Sequence, residues 1–182
     1  MSHLTITEFE AGLPIIRQSP QNNGRLEMLV IRPTEDKRES IRSGTLDVQH
    51  GLVGDNWLAR GSKYTETGAA HPDMQITLMN ARTIRLLSSD ETRWPLAGDQ
   101  LFVDMDLSSE NLPVGQQLQV GTAVLEITPM PHNGCKKFAA RFGVDAVKFV
   151  NSPEGKRLHL RGIYAKVIQS GDIQVGDQLV KI

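Results

Sequence analysis

The sequence predicts a mainly β protein, a closed β-barrel with a few short helices. Most apolar-periodic segments are short and rich in β-branched residues, of strand rather than helix length. Turns containing glycine close them, and Gly-Asp recurs at residues 54–55, 98–99, 171–172 and 176–177, where Gly reaches positive φ and Asp bonds back to nearby backbone. A chain of 182 residues with 39% hydrophobic content suits one domain with one core. Many short strands in one domain leave edges that closure of the sheet removes. A single domain over residues 1–182 is expected, with residues 1–48 supplying N-terminal strands and loops.

Strands are expected at residues 26–31, 45–50, 75–79, 101–105, 117–120, 123–128, 163–169 and 178–182. The segments "QVGTAVLEI" (119–127) and "QVGDQLVKI" (174–182) echo each other, each reading as strand, tight turn, strand. One helix starts at Asn80 as N-cap and runs through "ARTIRLL". A second follows the only cysteine. Phe138, Phe142, Ala146 and Phe149 line one face, while Lys137, Arg141, Asp145 and Lys148 repeat the same steps one position earlier. Gly143 splits this pattern, Asp145 opens its second part and Asn151-Ser152-Pro153 ends it. Residues 32–44 form a mixed charge run that reads as a solvated loop. Residues 58–73 are as long as structureless loops become in a domain, and such loops are either functional or disordered.

The composition removes several function classes. Twenty Lys and Arg against 21 acids give a net charge of −1, which offers no general attraction to nucleic acid or to an anionic membrane. The charge is unevenly spread: residues 132–182 carry nine basic and four acidic residues, so the end with the cysteine is basic. No apolar run approaches the roughly 18 residues a membrane span needs, and the first residues lack a basic-then-apolar secretion layout. A soluble cytoplasmic protein is the expectation. A lone cysteine forms no internal disulfide and has no resolving partner on its own chain, which excludes thioredoxin-like chemistry.

The stretch "TPMPHNGCKKFAARFG" (128–143) carries the chemistry. Cys135 directly precedes the expected helix, where free N–H groups and the helix dipole favour an anion. Lys136, Lys137 and His132 add positive charge, and Gly134 leaves approach to the sulfur open. Cysteine is often a small buried hydrophobe, but polar and glycine neighbours are poor company for a core residue, and a thiolate is the chemically active form. Zinc is a poor alternative, because His132 and Cys135 have no second cysteine or ligand-spaced histidine pair to join them. Arg141 and Arg161 provide forks suited to phosphate oxygens, so a phosphate-bearing cofactor beside the thiol is reasonable. Lys156 and Arg157 read as solvated surface charge.

Five further segments bear on identity: "GLVGD" (51–55), "QITLMNARTIRLL" (75–87), "SENLPVG" (109–115), "VGTAVLEIT" leading to Cys135, and "RGIYAKVIQSGDIQVGD" (161–177). Together they resemble a MOSC domain, the module at the C-terminus of molybdenum cofactor sulfurases that also occurs as small stand-alone bacterial proteins. The resemblance implies a barrel of the pyruvate-kinase type and a cysteine, here Cys135, acting as molybdenum ligand or sulfur carrier; soft thiolate suits both. Asp55, Asn111, Arg161 and Gly162 match family motif positions, whereas "PHNGCKK" departs from the family's common Pro-Cys arrangement. Relatives such as the mitochondrial amidoxime-reducing component hold the pterin cofactor and reduce N-hydroxylated compounds. By that resemblance the cofactor would contact Asp55, Asn111, Arg161 and Gly162, and the groups read around the thiol, Arg141, Lys136, Lys137, His132 and Asn133, join them as candidate cofactor contacts. Sulfurases also carry a pyridoxal-phosphate domain, for which this chain has no room. The implied partners are a small-molecule substrate or sulfur donor, with a separate electron-donor protein or a cysteine desulfurase, since no flavin or iron–sulfur motif is present. Three functions follow: a molybdenum-dependent reductase of N-hydroxylated bases or amidoximes, a sulfur carrier forming a persulfide on Cys135, and a non-catalytic ligand-binding barrel.

Overall fold

Seven strands close into a barrel in the computed structural model, which describes residues 3–182. The strands are β1 (Gly24–Ile31), β2 (Glu39–Ile41), β3 (Ser43–Asp47), β4 (Gly51–Leu52), β5 (Ile76–Asn80), β6 (Leu101–Asp104), β7 (Gln117–Val120), β8 (Ala123–Ile127), β9 (Ile163–Gln169), β10 (Gly171–Gln174) and β11 (Gln178–Lys181). Around the barrel they run β11-β7-β8-β9-β5-β6-β1, and β1 returns to β11 through Gly24 opposite Leu179 and Arg25 opposite Gln178. Closure leaves these strands no free edges along their paired length. β2 extends from β1, and β10-β3-β4 form a separate three-stranded sheet.

Two apolar clusters lie on opposite faces of the barrel wall, one inside and one outside. Alternation sends Leu29, Leu78, Leu101 and Val103 into the barrel, with Leu118, Leu125, Ala165 and Leu179 from the other strands. Leu46, Leu52 and Ile173 of the small sheet join this same core. The intervening residues Val30, Met79 and Phe102 point outward into a second cluster, so all five residues of β5 are buried. Such two-sided burial requires helices on the outer face.

The helices are α1 (Ile6–Ala11), α2 (Leu13–Arg17), α3 (Trp57–Arg60), α4 (Ala81–Leu87), α5 (Lys136–Phe142), α6 (Val144–Asn151) and α7 (Pro153–Arg157). α4 lies in the crossover that the parallel β5–β6 pair demands. Asn80 caps it as expected, accepting from Thr83 N–H at 2.9 Å. Phe138, Phe142 and Phe149 insert from α5 and α6 into the outer cluster, and truncating any one of them to Ala would cost about 3–5 kcal/mol. Gly143, at φ +95°, breaks α5 from α6 at the predicted position.

The structure corrects the expectation in several places. Residues 1–48 were assigned strands and loops, yet α1 and α2 lie there, α1 closed by a capping box in which Thr5 and Glu8 bond reciprocally. Each buries a single side chain fully, Phe9 or Ile16, too little for a periodic signal. The run 32–44 is not all solvated: Arg32 is buried and residues 39–41 form β2. Residues 58–73 contain the end of α3 and the start of a 3-10 turn at Pro72–Met74. Of the two echoed segments, only the first is a hairpin, with β7 paired to β8. β10 pairs with β3 while β11 pairs with β7 and β1, so the second turn passes the chain between sheets.

Candidate functional site

The chain leaves the barrel at Thr128, whose hydroxyl donates to Asp73 C=O at 2.6 Å. Pro129 and Pro131 then stiffen the path to Cys135. Gly134 is held from α6: its N–H donates to Asn151 Oδ1 at 2.9 Å and its C=O accepts from Asn151 Nδ2 at 3.1 Å. A Cβ on Gly134 would stand 3.0 Å from Val150 Cγ2, so glycine permits close packing on α6. Cys135 is exposed at the N-cap of α5, and its sulfur makes no hydrogen bond to the α5 N–H groups. Asn133 and Lys136 are exposed beside it.

Most of the expected cations are engaged elsewhere. Lys137 Nζ lies 3.3 Å from both Glu35 and Asp36. Arg141 donates to Leu96 C=O at 2.7 Å and to Asp36 at 3.4 Å. Arg161 is buried under α5, its guanidinium 4.8 Å from the Phe138 ring centroid. It donates to Asp99 at 2.7 Å and to Ala97 C=O at 2.8 Å. Arginine so committed fixes the turn at residues 97–99 and is not aimed at solvent.

A second buried pair shares that turn. Arg32 forks onto Asp55 with two bonds of 2.8 Å and donates to Gly98 C=O at 2.9 Å. Asp55 also accepts the backbone N–H groups of Arg32 and Trp57, each at 2.9 Å. Thus two of the four Gly-Asp turns carry buried carboxylates that hold arginines. Asn111 lies apart, bonded to Gln21, Asp106 and Lys181, with no hydrogen bond to the 129–137 segment.

His132 packs against Tyr164 at 4.5 Å between ring centroids, and its Nδ1 stands 3.7 Å from Asp99 Oδ1. Burial, then the charges of Arg161 and Arg32, holds His132 well below the usual histidine range, so it is neutral at pH 7 and adds no positive charge near the thiol. Burial raises the Asp99 carboxyl against the pull of Arg161 and Arg32. Gly162, at φ +102°, permits this arrangement: a Cβ there would strike Leu78 C=O and lie 3.3 Å from His132 Nδ1. Asp99, Arg32 and Asn151 were missed in the sequence, although the recurring Gly-Asp pairs pointed to the turns that present the two acids. Among the described residues no three His, Cys, Asp or Glu side chains converge as a metal site.

Residues 69–180, from before β5 to within β11 and including Cys135, match the MOSC domain. The chain belongs to the MOSC family. Its fold is shared with YuaD from Bacillus subtilis, at TM-score 0.60 and 19% identity over 86% of this chain and 93% of that one. YiiM from Escherichia coli aligns at TM-score 0.56 and 16% identity over 87% of this MOSC chain and 69% of its own. No functionally curated protein matched the sequence. Arg32 and Asp55 precede the MOSC match, whereas Asp99, His132, Asn151 and Arg161 fall within it. No described helix is long and apolar enough to cross a membrane.

Proposed function

We propose that this MOSC protein binds molybdenum cofactor with Cys135 as a metal ligand and reduces N-hydroxylated bases or amidoximes. The observation that supports the reading is the presentation of the only thiol: exposed, at the head of α5, with the preceding residue held by Asn151. Soft thiolate suits molybdenum, and Cys135, Asn133 and Lys136 are the accessible groups that would meet the cofactor. When bound, the cofactor supplies two-electron redox chemistry. Reduction of an amidoxime breaks its N–O bond, consumes two electrons and two protons, and releases an amidine and water. The electrons come from a separate donor protein. Asn151 fixes the backbone from which the thiol projects, and the Arg161–Asp99 pair fixes the wall behind α5.

Protein purified from cells that make the cofactor should contain molybdenum by elemental analysis and reduce benzamidoxime with a reduced viologen. Cys135→Ser should lose both. Metal-free, inactive wild type would overturn the reading.

One observation favours a second reading: Cys135 stands on the surface where a partner protein can reach it. As a sulfur carrier, its thiolate attacks the outer sulfur of a desulfurase persulfide; the S–S bond breaks, the desulfurase thiolate leaves and Cys135 becomes the persulfide. Mass spectrometry after incubation with a desulfurase and cysteine should then show one added sulfur, absent in Cys135→Ser. No adduct would remove this alternative.

A further inference from the structure

The dipeptide Asn-Gly occurs twice in the chain, at residues 23–24 and 133–134. This sequence is chemically fragile, because glycine has no side chain to shield its nitrogen or restrict the backbone. That nitrogen attacks Cγ of the preceding asparagine. It gives up its proton to water, a new N–C bond forms, the carboxamide C–N bond breaks, and the departing nitrogen takes up a proton and leaves as ammonia. The succinimide ring then adds water and opens to aspartate or isoaspartate. No oxidant or reductant is consumed.

The fold treats the two sites differently. Gly24 is buried, opposite Leu179 in the ladder that closes the barrel, and a Cβ on it would stand 2.6 Å from Met105 Cβ. Ring formation there requires the barrel seam to part. Asn133 is exposed, in the irregular segment between β8 and α5, and Gly134 is only half-buried. One side chain holds the Gly134 peptide groups: the N–H donates to Asn151 Oδ1 at 2.9 Å, and the C=O accepts from Asn151 Nδ2 at 3.1 Å. A nitrogen whose proton is so held is no free nucleophile, and both bonds must break before it turns on the Asn133 side chain. Such openings are local and cost far less than global unfolding.

We propose that Asn133 is a site of spontaneous deamidation gated by the Asn151 clamp, and that its conversion lowers the reactivity of the thiol. The new carboxylate lies two residues from Cys135. A neighbouring anion disfavours a thiolate and offsets Lys136, the exposed cation beside the sulfur. Isoaspartate also lengthens the main chain by a carbon, just where Asn151 and Val150 hold Gly134 against α6. The modification involves only the thiol loop, so it holds whether Cys135 carries metal, sulfur or neither.

The test ages wild type and Asn151→Ala, from cells unable to make the pterin so that the thiol is free, at mildly alkaline pH. Peptide mapping by mass spectrometry follows the amide-to-acid mass gain at residues 133 and 23. Wild type should gain it at Asn133 before Asn23. Asn151→Ala should speed the gain at Asn133 about tenfold, as loss of two hydrogen bonds allows, with Asn23 unchanged. Asn151→Asp, which retains an acceptor for the Gly134 N–H, should age more slowly than Asn151→Ala. Asn133→Asp should react with iodoacetamide more slowly than wild type, by a margin that salt narrows, while Asn133→Gln reacts as wild type does. Equal rates at the two asparagines, or no acceleration in Asn151→Ala, overturn the gate. Alkylation of Asn133→Asp at the wild-type rate overturns the effect on the thiol.

Discussion

The carboxamide of Asn151 grips both backbone groups of Gly134, accepting at 2.9 Å and donating at 3.1 Å, and Cys135 is the next residue. The last residue of α6 therefore sets where the thiol stands, although sixteen residues separate the two in the chain. Replacing Asn151 by Ala leaves a Gly134 donor and acceptor to find water. Asn151→Ala should lower stability by about 1–2 kcal/mol and speed amide exchange at Gly134 while exchange in the barrel strands stays slow. Unchanged protection at Gly134 would show that the clamp does not hold the loop.

The Arg161–Asp99 pair is buried on both sides, at 8% and 0% side-chain exposure. Asp99→Ala strands the guanidinium under α5 and should cost about 3–5 kcal/mol. Asp99→Asn, which keeps a hydrogen-bond acceptor, should cost less. At the surface Arg17→Ala, which breaks the half-exposed Arg17–Glu154 pair, should cost no more than about 1 kcal/mol. Urea midpoints of the three variants rank these effects, and equal losses would contradict the burial argument.

His132 makes stability depend on pH. Unfolded, it accepts a proton near 6.5, whereas in the fold burial and the facing charges of Arg161 and Arg32 keep it neutral to a much lower pH. Its contribution is complete above pH 6.5 and is lost as pH falls below it, by at most about 1.4 kcal/mol per pH unit. Asp99, on the same side of the ring, acts oppositely, because burial raises its carboxyl. Urea unfolding at pH 7.5 and 5.5 should show a loss for wild type and a smaller one for His132→Leu. Parallel pH profiles would contradict a neutral His132.

Gly162 is fixed by position. At φ +102° a Cβ is strained and would also meet Leu78 C=O in the neighbouring strand. Gly162→Ala should cost about 1–3 kcal/mol or more and disturb the His132–Tyr164 contact, visible as a shift in the aromatic resonances. A stable variant with an unchanged spectrum would mean that β9 can yield there.

Local signals were legible where one segment satisfies itself. Asn80 caps α4 from its own sequence neighbourhood, and Gly143 divides α5 from α6 because only its own φ is required. The β7–β8 hairpin likewise reads from its turn. Arg32 was read as the start of a solvated run because its partner, Asp55, lies 23 residues away. Arg141 and Arg161 were expected to face a phosphate; their protein acceptors Asp36, Leu96, Asp99 and Ala97 are brought close only by folding.

By itself the sequence determined a strand-rich chain whose alternation demands closure, the helix that follows Cys135, and the family to which the lone thiol belongs. Only the tertiary structure decided that β1 meets β11, that Asn151 holds the loop of the thiol, and which arginines are held by buried acids. The reason is physical: a local pattern fixes which face a side chain takes. Whether a charge is answered by protein or left for a ligand depends on acids from distant segments, and no local period encodes that distance.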